Sequence, residues 1–140
     1  MADLTNTNST TVTINGTAYS IAVSETISLT DDNAVQQVVT VPTSETQIAG
    51  VGAVGAGSLA DVKFGIIVNR DGTNFIRLRL ADTSGHTADV KLLAGEYFVI
   101  HNRSLNVSTT EGAFSSFSSI DTISAQADTA SCDVEILLAY

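Results

Sequence analysis

The sequence predicts an all-β protein, a two-sheet β-sandwich of the jelly-roll type with about nine strands. Three observations support this class. Thr, Ser and Val recur along the whole chain, apolar residues alternate with polar ones, and turn sequences recur about every 8 to 12 residues. The chain shows no stretch with the apolar spacing of an amphipathic helix. A closed barrel is the alternative architecture.

The first predicted element is a hairpin. Strands are predicted at residues 10–14 and 17–23, because they flank Asn15-Gly16, a pair that favours a tight turn with positive φ. The polar residues 1–9 are predicted to form a flexible N-terminal arm, and residues 10–140 a single domain. Two further strands are predicted at residues 25–30 and 34–41, the second ending at Pro42, which cannot donate a ladder hydrogen bond.

The middle of the chain is predicted to be a four-stranded meander. Its strands are residues 62–68, 74–80, 87–92 and 96–101, and its turns contain Asp71-Gly72, Ser84-Gly85 and Ala94-Gly95. A weaker strand is predicted at residues 117–127 and a clear one at residues 131–138.

Alternation predicts which side chains of these strands face the core. In the first meander strand they are Val62, Phe64, Ile66 and Val68. In the second they are Ile76, Leu78 and Leu80, with Phe75, Arg77 and Arg79 on the outer face. In the last strand they are Cys132, Val134, Ile136 and Leu138.

Size and charge exclude several classes of protein. A chain of 140 residues can bury one core. Fifteen acidic against six basic side chains give a net charge of −9, which argues against nucleic acid and anionic membranes as partners. No apolar run reaches the roughly 20 residues of a membrane span. The start of the chain lacks the pattern of a signal peptide, and Cys132, the only cysteine, leaves no intrachain disulfide.

The sequence predicts no catalytic, cofactor-binding or metal-ligating residues. Residues 50–55 match the G-x-G-x-x-G spelling, but a strand and not a helix is predicted to follow, so the segment is interpreted as a surface loop. His86 and His101 lack neighbours at metal-ligand spacing. Residues 31–33, Asp71 and Asp82 are weak calcium candidates, because aspartates also start turns for local reasons.

The residues predicted to contact other proteins lie in three places. They are Leu4 in the arm, Val51 and Val54 in the glycine-rich loop, and Phe75, Arg77 and Arg79 on one strand face. The favoured interpretation of the arginines is cross-strand pairing with Asp89. A guanidinium left free by that pairing would bind a carboxylate of another subunit. Ile67 and Leu93 are expected to extend Phe75 into an apolar patch.

Four segments resemble small all-β virion proteins of tailed bacteriophages, of the marine or cyanobacterial type. They are VTVPTSE at residues 39–45, GSLADVK at 57–63, NRDGTNFIRLR at 69–79 and LLAGEYF at 92–98. The resemblance implies a non-enzymatic capsid decoration or cement protein, made in the host cytoplasm and located on the outer capsid surface. It also implies two partners, the major capsid protein and copies of this chain, with a trimer expected.

Two other classes remain open. A tail or fibre component, or a receptor- or glycan-binding module, would present loop sites on the same sandwich. Such modules usually stack Trp or clustered Tyr on sugar rings, whereas this chain has no Trp and three Tyr. An enzyme is the third class, and no nucleophile motif supports it.

Overall fold

The computed structural model of the chain describes residues 3–29, 34–50, 59, 62–101, 106–108 and 117–140. These residues belong to two compact units, Met1–Asn33 and Ala34–Tyr140. The first unit is a long hairpin, and the second contains two large sheets. The division differs from the predicted one, which placed an arm at residues 1–9 and one domain at residues 10–140.

The hairpin of the first unit has two strands of equal length, β1 (Asp3–Ile14) and β2 (Thr17–Ser28). They pair antiparallel in one continuous register. Asn15 and Gly16 form the turn with φ of 49° and 81°, which confirms the Asn-Gly turn. β1 includes residues 3–9, which were predicted to be arm, and β2 joins the segments predicted as separate strands at residues 17–23 and 25–30.

The second unit contains two four-stranded antiparallel sheets. Sheet I consists, in spatial order, of β3 (Ala34–Val41), β12 (Cys132–Ala139), β5 (Phe64–Asn69) and β8 (Tyr97–Ile100). Sheet II consists of β4 (Thr46–Gly50), β11 (Thr122–Ala127), β6 (Ile76–Ala81) and β7 (Thr87–Leu92). A short additional pair joins β9 (Asn106–Ser108) and β10 (Phe117–Ser119).

The pairing of these strands is that of a jelly roll. Counted along the chain, the first of the eight strands in sheets I and II pairs with the last, the second with the seventh, the third with the sixth and the fourth with the fifth. Such nested antiparallel pairs divided between two sheets define the jelly-roll topology. The predicted fold class is therefore confirmed.

The described residues form twelve strands, against about nine predicted. β4 and β9 lie where no strand was predicted, and the strand predicted at residues 117–127 is divided into β10 and β11. In the described part of the chain, no helix could span a lipid bilayer.

The predicted meander is wrong at two of its three turns. β5 and β8 belong to sheet I, whereas β6 and β7 belong to sheet II. Among the described residues of the predicted meander, one hairpin is therefore present, formed by β6 and β7 with the turn at Ser84-Gly85. The turns with Asp71-Gly72 and Ala94-Gly95 connect strands of different sheets. A turn sequence predicts that the chain reverses, but it does not determine which strand the next segment pairs with.

The core lies between sheets I and II. The predicted inward residues of β6 and β12 are confirmed as buried: Ile76, Leu78, Leu80, Cys132, Val134, Ile136 and Leu138. They pack in one cluster with residues of β3, β4 and β11, among them Val41, Ile48 and Ile123. The free thiol of Cys132 belongs to this cluster, and its burial raises the thiol pKa.

The predicted inward residues of the first meander strand are confirmed in part. Val62 and Phe64 are buried as predicted. Further along β5 the prediction is wrong, because Ile67 is fully buried in the core, whereas Ile66 and Val68 on the other face are half-buried. Both faces of this central strand carry apolar side chains, so alternation alone does not distinguish them. Two contacts select the observed face: Ile67 lies directly opposite the buried Ile136, and Gly65 on the same face leaves room for Leu138.

A buried amide joins the two turns between the sheets. Asn69, at the end of β5, is fully buried, and its Nδ2 donates to the carbonyl oxygens of Asn74 at 2.9 Å, Leu93 at 3.1 Å and Leu92 at 3.3 Å. Its Oδ1 accepts a hydrogen bond from the backbone N–H of Asp71 at 3.1 Å. One side chain therefore holds the segment after β5 and the segment after β7 together.

Candidate functional site

The outer face of sheet II carries two of the residues predicted as contacts, Arg77 and Arg79 on β6. Asp89 on β7 lies directly opposite Arg79. The Arg79 guanidinium donates two hydrogen bonds to this carboxylate, from Nε to Oδ1 at 2.8 Å and from Nη2 to Oδ2 at 2.9 Å. The hydrogen bond from Arg79 lowers the pKa of Asp89. The cross-strand pairing favoured from the sequence is thus present for Arg79.

Glu45 extends this pair into a network across the sheet. It immediately precedes β4, and β11 lies between β4 and β6. Its Oε2 accepts from Nη2 of Arg77 at 2.8 Å and from Nη1 of Arg79 at 3.1 Å. Both guanidinium groups therefore bind carboxylates of their own chain. Fewer of their N–H donors remain for a carboxylate of another subunit. Within the described residues, one buried nitrogen of the pair, Nε of Arg77, has no hydrogen-bond partner.

The charged pair gives a first testable prediction. Arg79→Glu should lower the urea midpoint of unfolding, because it places a third carboxylate beside Asp89 and Glu45. Combining Arg79→Glu with Asp89→Arg should recover much of the loss, since the bidentate pair can form in the reverse direction. Arg79→Ala should have a small effect, because the pair is partly exposed. A double variant no more stable than Arg79→Glu alone would contradict direct pairing.

The predicted apolar patch of Ile67, Phe75 and Leu93 is wrong. Ile67 lies in the core, as described above. Phe75 is half-buried, and Nζ of Lys91 lies 3.8 Å from its ring centre in a cation–π contact. Leu93 is exposed as predicted, in the turn after β7. Phe75 is therefore covered by a side chain of its own sheet and does not continue into an apolar surface with Ile67.

The remaining predicted contacts lie elsewhere. Leu4 is a half-buried residue of β1 and lies opposite Ile27 of β2. Val51 and Val54 lie outside the described residues. Of the glycine-rich motif, the structure describes Gly50, which ends β4 with φ of 105°. A Cβ at this position would overlap the carbonyl oxygen of Asp121, so the glycine permits a close approach of two backbones.

The turn between β6 and β7 is organised by a buried carboxylate. Oδ1 of Asp82 accepts from the backbone N–H groups of Ser84 at 3.0 Å and His86 at 2.7 Å, and its Oδ2 lies 2.7 Å from Nδ1 of His86. Burial alone would raise the pKa of Asp82. The hydrogen bonds from His86 and Ser118 outweigh this and hold the pKa well below its usual range.

This arrangement differs from a Ser-His-Asp triad. In a triad the imidazole lies between the serine and the carboxylate, so that it can take the serine proton. Here the carboxylate of Asp82 lies between His86 and Ser118, and the serine hydroxyl bonds to the carboxylate. The geometry stabilises a turn and does not activate a nucleophile.

Asp82 gives a prediction about pH. The pKa of Asp82 is lower in the folded chain than its ordinary value of 3.8. The ionised carboxylate therefore stabilises the folded chain at pH values above 3.8, and this stabilisation is lost as the pH falls below 3.8 toward the folded pKa. Asp82→Asn should therefore be less stable than the parent at neutral pH and approach it in strong acid. Urea midpoints of unfolding, measured from neutral pH to strong acid, give the difference in stability between the variant and the parent. His86→Asn keeps the backbone N–H that binds Asp82, so it should show only part of this pH-dependent loss. A difference that is constant with pH would contradict this assignment.

The calcium candidates do not form a described site. Residues 31–33 lie outside the described residues. Oδ1 of Asp71 accepts from the backbone N–H groups of Asn74 at 2.6 Å and Thr73 at 2.7 Å, and these bonds lower its pKa. Among the described residues, no group of three or more His, Cys, Asp or Glu side chains is placed to hold a metal ion. His101 packs edge-on against Phe64, with ring centres 6.1 Å apart.

One exposed surface was missed from the sequence. Directly opposed residues of an antiparallel pair share a face, and the pairing of β1 with β2 places five large apolar side chains on one face of the hairpin. Their exposed fractions are 50% to 73%. We call this set the hairpin face: Val12, Ile14, Tyr19, Ile21 and Val23. The sequence around Asn15-Gly16 predicts two strands and a turn, but it does not predict that one face of the hairpin stays exposed.

No protein-family model, no curated protein and no solved structure matches the chain. The surfaces described above are therefore interpreted from their own chemistry. The outer face of sheet II is an internally paired charged surface, and the hairpin face is an exposed apolar one.

Proposed function

We propose that this chain is a non-enzymatic structural protein of a bacteriophage particle, which binds the outer surface of the capsid as a decoration protein. The resemblance of residues 39–45, 57–63, 69–79 and 92–98 to phage virion proteins supports this proposal. The jelly roll is compatible with it, because viral capsid domains commonly use that topology. The partners proposed are the major capsid protein and further copies of this chain.

The observation that carries the proposal is the contrast between the polar and the apolar groups of the surface. The charged side chains of sheet II bind one another, and the Asp82 carboxylate holds its own turn. Large apolar side chains, in contrast, are at least half exposed in both units. These residues are Val12, Ile14, Tyr19, Ile21, Val23, Val38, Leu93 and Tyr97. The first five share one face of the hairpin, and a contiguous exposed apolar patch is typical of proteins that act by contact with other proteins.

A contact protein of this kind stabilises a capsid by mass action. If its binding site exists in the assembled shell and not in free capsid subunits, each bound copy shifts the equilibrium away from disassembly. Affinity would come from a few apolar anchors, since such residues carry most of the binding energy of protein interfaces.

The test is cosedimentation of the purified chain with heads of the phage that encodes it, prepared without this protein. We expect saturable binding at a constant ratio to the major capsid protein, and heads that resist heat better when saturated. Unassembled capsid protein is the matched control and should bind weakly. Heads that neither bind the chain nor gain heat resistance would overturn the proposal.

A second candidate, a receptor- or glycan-binding module, is favoured by one observation. Tyr19 and Tyr97 are 60% and 62% exposed, and an exposed tyrosine ring can stack on a sugar. A glycan array probed with the same purified protein separates the two functions. Binding to glycans without binding to heads would replace the decoration function with this one.

A further inference from the structure

We propose that the hairpin face binds the hairpin face of a second copy of this chain. This inference deepens the proposed function, and rests on it for its biological setting, by assigning self-association to one surface. The surface is new with respect to the contacts predicted from the sequence, which included Leu4 of the hairpin but none of these five residues.

The two faces of the hairpin differ sharply in chemistry. On one face, Val12 lies opposite Tyr19, and Ile14, Ile21 and Val23 occupy neighbouring positions. On the other face, every residue from Thr5 to Thr13 and from Ala18 to Ser28 is Thr, Ser or Ala. A two-stranded hairpin is at best marginally stable in water, and a third layer or strand is normally needed. One face of this hairpin has the composition of a sheet that is covered.

The area of the hairpin face matches a small protein interface. At 50% to 73% exposure, the five side chains present on the order of 500 Å² per copy. Two copies packed face to face would then bury roughly 1,000 Å², which is the lower end of the range for specific interfaces. Tyr19, near the middle of the face, is the type of residue that anchors such contacts.

Charge favours a second copy over other occupants. The chain has a net charge of −9, but residues 4–24 contain no Asp, Glu, Lys, Arg or His. Two copies with this net charge repel one another, and the five residues of the hairpin face add no further charge to the contact. The same lack of Lys and Arg gives no attraction to phospholipid headgroups, and a charged partner would lose solvation here without gaining an ion pair. A two-fold arrangement places the same uncharged apolar surface on both sides.

The test compares two variants of β2 with equal added charge. Tyr19→Glu with Ile21→Glu alters the hairpin face, and Ala18→Glu with Ser20→Glu alters the opposite face of the same strand. In sedimentation velocity up to roughly 100 μM, we expect the parent and the Ala18/Ser20 variant to self-associate and the Tyr19/Ile21 variant to associate at least ten-fold more weakly. A monomeric parent, or a Tyr19/Ile21 variant that associates like the parent, would overturn the proposal.

A second measurement uses the unaltered chain, so that folding of a variant is not an issue. Tyr19 and Tyr97 are almost equally exposed in the single chain, at 60% and 62%. Nitration with tetranitromethane, followed by peptide mass spectrometry, should therefore modify both at low protein concentration. At high concentration Tyr19 should become several-fold less reactive relative to Tyr97. Equal reactivity at all concentrations would contradict packing at the hairpin face.

The two proposals can fail separately. A parent that self-associates through the hairpin face but does not bind heads supports this inference and overturns the capsid function. A monomeric parent whose binding to heads is abolished by Tyr19→Glu with Ile21→Glu overturns this inference, because the occupant of the face is then the capsid.

Discussion

Asn69→Ala is expected to lower the free energy of unfolding of the unit Ala34–Tyr140 by about 3 to 5 kcal/mol. The Asn69 side chain is fully buried, and its amide nitrogen lies within hydrogen-bond distance of three carbonyl oxygens in two separate turns. Alanine removes these donors and leaves the carbonyls of Asn74, Leu92 and Leu93 without this partner. Urea unfolding followed by far-UV circular dichroism measures the loss.

Two further variants show whether the amide hydrogens are the cause. Asn69→Asp keeps the shape and the acceptor but removes the donors, so we expect a loss at least as large as that of alanine. Asn8→Ala, on an exposed position of β1, should change stability by less than about 0.5 kcal/mol. If Asn69→Asp proves as stable as the parent, the hydrogen bonds from Nδ2 do not hold these turns.

Ile67→Ala is expected to lower the free energy of unfolding by about 2 to 5 kcal/mol, because it removes a fully buried side chain from the core and leaves a cavity between the sheets. Ile66→Ala is the matched control, since it makes the same chemical change at the next residue of the same strand. Ile66 is half-buried on the outer face, and its truncation should cost less than half as much.

The comparison tests the orientation of β5 directly. The alternation of residues 62–68 predicts that Ile66 faces the core, and the structure places Ile67 there. A greater loss of stability for Ile66→Ala than for Ile67→Ala, measured in the same urea titration, would favour the sequence prediction over the observed face.

The local elements show how far sequence reasoning extends. β6 and β12 each carry an unbroken apolar face, while the opposite face has two arginines in β6 and two carboxylates in β12, and the orientation of both strands was predicted correctly. The Asn15-Gly16 turn was also predicted, because positive φ is a local property of these residues. In contrast, β5 is apolar on both faces, so its orientation depends on Ile136 and Leu138 of a strand far away in the sequence.

The candidate site shows the same division. Pairing of Arg79 with Asp89 was predicted, because the two residues lie on neighbouring strands joined by a short turn. Glu45 was not, since it lies 34 residues before Arg79 and is brought to it by the order of strands in sheet II. The hairpin face was not predicted, because apolar alternation indicates which side chains share a face of a strand. It does not indicate whether another part of the same chain covers that face.

Residue order by itself determined that this chain forms strands, where several of them reverse, and which side of each amphipathic strand is apolar, because these properties arise from neighbouring residues. The tertiary structure alone decided that the chain crosses between the two sheets at the turns before β6 and after β7, that Asn69 is buried, and that five apolar side chains of a hairpin stay exposed. These features depend on contacts between distant segments, and the free energy of such contacts is not encoded in any single segment.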